Sequence, residues 1–290
     1  ASLTTTSDAT ASGSFIVSGT TTGNITYKRY IEDINWHLVS APVTSQSIPT
    51  FVGVAGNAVA ISTTTSSSAV SYYKNTNTAG NRWTYHNAAP DSEKENQETL
   101  TNFIAGQGYS MKKTAIGDYT FTGAMANADV SATIPTITTA GTHLWSAIGN
   151  PFPSFLAVND AADAANLLID NLAALDGSFA FLYVWNGTSY DAIGHGAALQ
   201  LAPGQAFLVR AKTDGQTFIF KKTLQKHNSG SATFYRPSTA TPTISVHLTN
   251  GTSSKSANLE FLDSSTTGLD VGYDAGAYQD GTPSFSINTH

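Results

Sequence analysis

The octapeptide Trp36-His-Leu-Val-Ser-Ala-Pro-Val returns later in the chain as Trp145-Ser-Ala-Ile-Gly-Asn-Pro-Phe, with Trp and Pro in the same relative places. An aromatic stretch ending at Asn follows each copy, Val70-Ser-Tyr-Tyr-Lys-Asn in the first and Phe181-Leu-Tyr-Val-Trp-Asn in the second. Further shared blocks come after these in the same order. Because such self-similarity marks a repeated structural unit, we predict two copies of one β unit, at 30–138 and 139–225.

The shared blocks have the alternation that is typical of β-strands. Tyr119-Thr-Phe-Thr alternates apolar and polar residues between turn residues. Gly106 and Gly204 each precede a Gln just before such a strand, and we predict a positive φ at both. Trp36 and Trp145 open strands with apolar neighbours two residues on, so both indoles are predicted to anchor the core of their unit.

The composition also favours strands. Only 12% of the 290 residues are charged, 40% are hydrophobic, and Ser, Thr and Gly are abundant. One segment favours a helix: Leu168, Leu172 and Leu175 recur at helical spacing, after acidic residues that suit a helix amino end. The sequence therefore predicts an all-β chain of tandem antiparallel β-sandwich-like repeat domains, with one helix inserted near 157–175.

The flanks of the repeat are predicted to be β-structure as well. Residues 1–29 contain two alternating stretches, at 13–19 and 24–30, and are interpreted as lead-in strands. Residues 226–290 contain strand patterns that begin near Thr233, Thr243 and Ala257. Since so short a segment makes a marginal core, we interpret it as a partial third β module.

Charge and residue usage exclude several classes of protein. The formal net charge is −6 and the 14 Lys and Arg residues are scattered singly or in pairs, so no basic stripe is available for phosphates and no nucleic-acid partner is expected. No apolar run approaches the roughly 18 residues of a membrane span, and direct membrane insertion is not expected. The chain has no Cys, which excludes a disulfide framework and a zinc–thiolate site.

A set of motifs across nearly the whole chain resembles a known family. The motifs are Ile25-Thr-Tyr-Lys-Arg-Tyr, Trp36-His-Leu-Val-Ser-Ala-Pro-Val, Gly106-Gln-Gly-Tyr, Tyr119-Thr-Phe-Thr-Gly, Trp145-Ser-Ala-Ile-Gly-Asn-Pro-Phe-Pro-Ser, Leu201-Ala-Pro-Gly-Gln-Ala-Phe and Phe234-Tyr-Arg-Pro. Together they resemble the β-rich region that precedes the sorting domain in large secreted and cell-surface proteins of Bacteroidetes, which are exported by type IX secretion. The resemblance implies an extracellular or outer-membrane-surface location, and contact with the secretion machinery through the parent chain. It implies no catalytic residues.

Catalytic motifs are missing from the sequence. It contains no Gly-x-Ser-x-Gly elbow, His-Glu-x-x-His pair, P-loop or dinucleotide-binding glycine pattern. The nearest arrangement is His195 between two glycines with Asp191 four residues earlier, for which a turn histidine is the simpler interpretation. We therefore expect the chain not to be an enzyme.

Aromatic residues in two hairpins are the candidate ligand-binding residues. They are Trp83 and Tyr85 in the first unit, and Trp185 and Tyr190 in the second. Ring faces stack on the C–H groups of sugars, while neighbouring amides and hydroxyls fix the orientation of the sugar. This pattern predicts contact with a polysaccharide or cell-surface glycan. The alternative is that the same aromatics are buried in the cores of their units.

Acidic residues near the carboxyl end are candidate calcium ligands. Asp263, Asp270, Asp274 and Asp280 lie among Gly, Ser and Tyr, and calcium prefers the carboxylate and carbonyl oxygens that such turns provide. The spacing matches no EF-hand. Solvated turn aspartates are the alternative interpretation, and no other cofactor is predicted.

These observations predict a non-catalytic module of a secreted bacterial surface protein, acting as an adhesive or glycan-binding platform or as a spacer. Two alternatives stay open. The chain is an accessory region of a polysaccharide-degrading enzyme whose catalytic domain lies elsewhere, or a purely structural stalk of secreted cargo.

Overall fold

A computed structural model describes residues 3–135, 143–187, 189–196, 198–228, 243–251, 254–260, 266, 270–271 and 274–280. Its strands, in chain order, are β1 (Leu3–Thr6), β2 (Asn24–Ile31), β3 (Trp36–Val39), β4 (Val70–Tyr73), β5 (Trp83–His86), β6 (Gln97–Glu98), β7 (Tyr109–Lys112), β8 (Gly117–Ala124), β9 (Val130–Ile134), β10 (Trp145–Gly149), β11 (Phe155–Ala157), β12 (Leu182–Trp185), β13 (Tyr190–Ile193), β14 (Gln200–Leu201), β15 (Ala206–Arg210), β16 (Gln216–Phe220), β17 (Gln225–Lys226), β18 (Thr243–Thr249) and β19 (Ser254–Glu260). The helices are α1 (Ile48–Gly53) and α2 (Leu167–Asn171), with 3₁₀ turns at Ala55–Asn57, Leu172–Ala174, Gly177–Phe179 and Lys222–Leu224. The predicted all-β, sandwich-like class is confirmed.

The two repeats form sheets with the same strand order. The first sheet is ordered β3-β7-β4-β5-β6 and the second β10-β15-β12-β13. In each sheet the first strand begins at a Trp that pairs with a basic residue, Trp36 with Lys112 and Trp145 with Arg210. A separate antiparallel ladder accompanies each sheet, β2 with β8 in the first repeat and β9 with β16 in the second. The register therefore makes Trp36 equivalent to Trp145, and Lys112 equivalent to Arg210.

The hydrogen-bonded ladders place two segments differently from the sequence interpretation and join the lead-in strands to the first repeat. Residues 130–134, assigned from sequence to the first unit, pair with β16 and belong with the second repeat. In the lead-in region, β1 pairs in parallel with β2, which itself pairs with β8 of the first repeat. Residues 13–19, predicted as a strand, form none, because the Gly13 N–H donates to the Thr6 carbonyl while the Phe15 N–H donates to the Pro153 carbonyl.

The predicted helix near 157–175 is much shorter than its apolar spacing indicates. Helix is confined to α2 and the 3₁₀ turn that follows it. Ahead of α2, the side chains of Asn159 and Asp163 accept backbone N–H groups two or three residues further on. Such local bonds compete with helical ones. The helix begins only where Asn166 caps it, by accepting the Ile169 N–H at 3.0 Å.

Three large buried clusters, and a small one formed by Phe155 and Ala202, stabilise the described part of the fold. One lies inside the first repeat and includes Tyr27 and Phe121, and one lies inside the second and includes Phe207 and Phe218. The third lies between the two repeats and consists of Leu38, Tyr73, Trp145, Ala147, Phe181, Tyr183, Ala206 and Leu208. The two main sheets therefore pack face to face and share a core.

The junction between the repeats is reciprocal. Ser40 and Gly149 occupy equivalent places at the end of the Trp strand. The Ser40 N–H donates to the Gly204 carbonyl, and the Gly149 N–H donates to the Gly106 carbonyl, both at 3.0 Å. Gly106 has φ 82° and Gly204 has φ 75°, which confirms the predicted positive φ at both turns. Reciprocal contacts between equivalent residues are the arrangement found at a twofold axis.

The C-terminal region contributes a hairpin and a docked segment. Of the predicted third module, the described residues include the antiparallel hairpin of β18 and β19. The predicted strand at Thr233 lies outside the described residues. Residues 274–280 lie against the second repeat, where the Gly276 N–H donates to the Ser178 carbonyl at 2.9 Å.

Candidate functional site

The crevice between the two sheets has two equivalent ends, because the junction is reciprocal. Trp145 borders one end and Trp36 borders the other. Each repeat also contributes one pair of aromatic residues that lie opposite each other on neighbouring strands, Tyr73 with Trp83 and Trp185 with Tyr190. Residues that lie opposite each other on paired strands point to the same face of the sheet. The two ends are thus built from equivalent residues.

The C-terminal segment fills the Trp145 end. The centroid of the Tyr278 ring lies 5.0 Å from that of Trp145 and 4.8 Å from that of Tyr190. The Tyr278 hydroxyl lies 3.0 Å from the hydroxyl of Tyr73, and burial raises the pKa of Tyr278. The occupied end therefore holds a flat six-membered ring that carries one hydroxyl group.

Charged groups anchor the same segment. The Asp280 Oδ1 atom lies 3.0 Å from Nε of Arg82, and Oδ2 accepts the Gly80 N–H at 2.8 Å. His143 lies beside them, with Nε2 2.7 Å from the Tyr73 hydroxyl. Burial, with a smaller effect of the Arg82 charge, lowers the pKa of His143 to about 4. The Asp280 carboxylate, predicted to bind calcium, is therefore engaged in an ion pair within the chain.

The other predicted calcium ligands lie elsewhere. Asp270 and Asp274 share one turn, in which the Asp274 carboxylate accepts the Asp270 N–H at 2.7 Å and the Asp274 N–H donates to the Asp270 carbonyl at 2.8 Å. Asp263 lies outside the described residues. Within the described ranges, no three His, Asp or Glu side chains are grouped so that they could hold a metal ion. The structure therefore brings together two of the four predicted carboxylates.

The predicted ligand-binding aromatics meet at the Trp36 end of the crevice, which is called the open end because none of the described segments fills it. Trp83, Tyr85, Trp185 and Tyr190 all line one cavity of about 240 Å³, together with Trp36, His37, Leu38 and Ser110. All four predicted residues are partly buried, and Trp83, Trp185 and Tyr190 also pack against the cluster between the sheets. The two hairpins converge because the repeats pack face to face.

Trp36 lines this site as well as packing against the core of the first repeat, where the sequence predicts it. Trp145 is 4% exposed, as predicted, and is covered by Phe179 and Tyr278. Trp36 is only partly buried, and its ring lies 5.9 Å from that of Tyr85 in an edge arrangement. Since the two Trp motifs are alike, no local signal separates them. The difference comes from the segments that cover Trp145.

Polar groups at the open end supply hydrogen-bond donors. The Nε1 atom of Trp185 is buried and has no hydrogen-bond partner among the described residues. An unmet buried N–H group costs about 1–3 kcal/mol, and the surrounding side chains shield this one from a ligand in the cavity. Burial raises the pKa of Tyr85, which keeps its hydroxyl protonated at neutral pH.

A larger cavity of about 630 Å³ adjoins the first and shares Trp36 and Tyr85 with it. Its volume falls within the roughly 300–1,000 Å³ of typical small-molecule sites. The side chains that supply polar atoms include Asn81, Lys94, Asn96, Gln97 and Lys112. The two cavities, which share the rings of Trp36 and Tyr85, are together called the groove.

His195 has a different partner from the one its sequence neighbourhood indicates. Its Nδ1 atom lies 2.6 Å from Oδ1 of Asp160. The Asp191 carboxylate instead accepts a hydrogen bond from Asn186 at 3.0 Å. The spacing of Asp191 and His195 therefore does not create a His–Asp pair.

The chain matches no family model, no curated protein and no solved structure in comparisons with known proteins. In the part of the chain that the structure describes, no helix has the length and apolar character needed to cross a membrane.

Proposed function

We propose that this chain is a non-catalytic module of a secreted bacterial surface protein and that it binds a saccharide at the open end of the crevice. The observation that carries the proposal is the convergence of aromatic residues from both repeats on one cavity. Aromatic rings pack on the apolar faces of sugars, and nearby polar groups fix the orientation of the bound ring. A groove of this composition suits a polymer of sugar units.

The occupied end of the crevice supports this proposal. There, Tyr278 places a six-membered ring against Trp145 and Tyr190 and a hydroxyl against Tyr73. A pyranose has the same ring size, apolar C–H faces and peripheral hydroxyl groups. The open end is built from equivalent residues, so a sugar ring is a suitable occupant for it.

The proposed setting is the outside of the cell or the outer-membrane surface, reached by type IX export. Its support is the resemblance of the sequence motifs to regions that precede sorting domains. In that setting the secretion machinery acts on the parent chain. An adhesin and an accessory region of a polysaccharide-degrading enzyme would both use the groove to hold a polymer.

Retention on insoluble polysaccharides and calorimetric titration with soluble oligosaccharides test the proposal. Tyr85→Ala and Trp185→Ala are each expected to weaken binding about tenfold, since each removes a ring contact worth roughly 1 kcal/mol or more. Tyr30→Ala is the matched control, because Tyr30 is a partly buried tyrosine on β2 that lines neither cavity. Its affinity is expected to equal that of the unmodified chain.

Two results would overturn the proposal. One is unchanged affinity in both groove variants. The other is that a peptide with the sequence of residues 274–280 binds, with losses in the same variants, while no saccharide binds. That result would assign the open end to a tyrosine-bearing partner. If neither ligand binds, the spacer function gains support, because the reciprocal junction joins the two repeats through a shared core.

A further inference from the structure

We propose that the saccharide is acidic and that Lys112 and Lys94 bind its carboxylate groups in the 630 Å³ cavity. The inference rests on the proposed function, since it places a sugar ring in the adjoining 240 Å³ cavity. Trp36 and Tyr85 line both cavities. One oligosaccharide that packs on these rings therefore reaches both.

A difference between two equivalent cations is the main support. Lys112 pairs with Trp36 as Arg210 pairs with Trp145. At the occupied end, Nη1 of Arg210 lies 3.0 Å from Oδ2 of Asp176. At the open end, Lys112 has no carboxylate within ion-pair distance among the described residues. The ligand would supply the negative charge that Asp176 supplies to Arg210.

Lys94 adds a second cation to the same cavity. It is exposed on the segment between β5 and β6 and, within the described ranges, has no ion-pair partner either. The chain as a whole carries a net charge of −6, yet the residues described as lining this cavity include no Asp or Glu. The neighbouring Glu95 carboxylate accepts hydrogen bonds from the Thr78 N–H and the Asn81 side chain. Although Asp91, Glu93 and Glu95 lie close to Lys94 in the chain, the charged side chains that line the cavity itself are both cations, which favours an anionic ligand there.

Gln97 contributes a neutral donor with a fixed orientation. Its Oε1 atom accepts from the Asn87 side chain at 2.9 Å and from the Asp91 N–H at 3.2 Å. Both bonds use the carbonyl end of the amide, so the Nε2 group remains a donor. A carboxylate accepts several hydrogen bonds at once, and bonds from ammonium groups to it are stronger than neutral ones. The donors of this cavity therefore suit a uronic acid better than a neutral hexose.

Calorimetry with polygalacturonate, alginate and hyaluronate tests the inference, each polymer in its native and its carboxyl-reduced form. Reduction replaces the carboxylate by a primary alcohol and retains the sugar rings. We expect at least one native polymer to bind about tenfold more tightly than its reduced form. The advantage is expected to shrink as salt increases, because salt screens partly exposed charges.

Substitution of the lysines separates their charge from the aromatic contacts. Lys112→Gln and Lys94→Gln are each expected to weaken binding of the native polymer severalfold and to leave binding of the reduced polymer unchanged. Lys28→Gln is the matched control, because Lys28 is a partly buried lysine on β2 that lines neither cavity.

The outcomes distinguish this inference from the proposed function. Equal affinity for native and reduced polymers overturns the inference while saccharide binding stands. Tighter binding of native polymers that persists in both lysine variants also overturns it, since the charge is then recognised elsewhere. If no polymer binds, whether acidic, reduced or neutral, both the inference and the proposed function are overturned.

Discussion

Gly149 packs against Ser40 at the centre of the junction between the repeats. A Cβ atom on Gly149 would lie 2.6 Å from the Cβ atom of Ser40 and 2.8 Å from that of Ala206. The Ser40 hydroxyl is itself engaged, donating to the Asn150 carbonyl at 2.8 Å. The two equivalent positions therefore cannot both carry a side chain, which explains Ser in one copy and Gly in the other.

Gly149→Ala is expected to destabilise the fold by about 1–3 kcal/mol, the usual cost of overpacking a filled interior. Urea unfolding measures the change in the free energy of unfolding. Gly19→Ala is the control, because a Cβ atom at Gly19 would meet nothing within 4 Å. Equal stability of the Gly149 variant and the unmodified chain would contradict the face-to-face packing of the repeats.

Tyr278→Ala is expected to lower the free energy of unfolding by about 3 kcal/mol, because it removes a large ring from between Trp145 and Tyr190. Tyr278→Phe keeps the ring and loses only the hydroxyl contact with Tyr73, at a cost of about 1 kcal/mol. Thermal unfolding of both variants gives the comparison. A Phe variant as unstable as the Ala variant would show that ring packing is not the main contribution.

The stability of the fold is expected to fall as the pH is lowered from about 6.5 toward 4, partly because of His143. Burial lowers the pKa of His143 to about 4 in the folded chain, whereas an unfolded histidine titrates near about 6.5. Between these values the unfolded state binds more protons, so stability decreases with decreasing pH. His143→Gln removes this contribution. Denaturation midpoints that fall equally in both proteins over this interval would argue against a buried, neutral His143.

Saccharide binding is expected to change the intrinsic tryptophan fluorescence. Trp36, Trp83 and Trp185 line the 240 Å³ cavity, while Trp145 is buried between the sheets. Trp185→Phe is expected to reduce the amplitude of the change, and Tyr30→Phe to leave it unaltered. A calorimetric binding signal without any fluorescence change would place the ligand away from the crevice.

Calcium binding by the C-terminal carboxylates stays a prediction. On that hypothesis, millimolar calcium raises the melting temperature, and the combined Asp270→Asn and Asp274→Asn substitutions abolish the rise. Asp280→Asn is expected to leave the calcium response unchanged, because Asp280 is paired with Arg82. The absence of both a heat signal on titration and a shift in melting temperature would contradict the hypothesis.

The strands and turns of the repeat could be predicted because their signals are local. The alternation in Tyr119-Thr-Phe-Thr lies within β8, and the glycines at 106 and 204 have the positive φ that their turns require. Of the groove, the sequence could predict only the aromatic residues of two separate hairpins. Its assembly depends on how two distant sheets pack, and local alternation shows that a face is apolar without showing what covers it.

Two departures from the sequence patterns have the same physical origin. The apolar spacing at 157–175 suits a helix, yet the Asn159 and Asp163 side chains hold local turns and shorten it. Trp36 matches Trp145 in its motif, yet Phe179 and Tyr278 cover only Trp145. In both cases a specific side-chain contact outweighs a periodic pattern.

The segment that carries Tyr278 also determines how many ends of the crevice are left for an outside ligand. A repeated unit joined by a reciprocal junction has two equivalent crevice ends, and Tyr278 occupies one of them. Of this pair, a single end is left to an outside ligand, so the proposed function gives each chain one polymer site in the crevice. On that proposal, a gain in avidity, which reaches roughly 10²–10⁴-fold for linked sites, would require several copies of the module to be joined to one another.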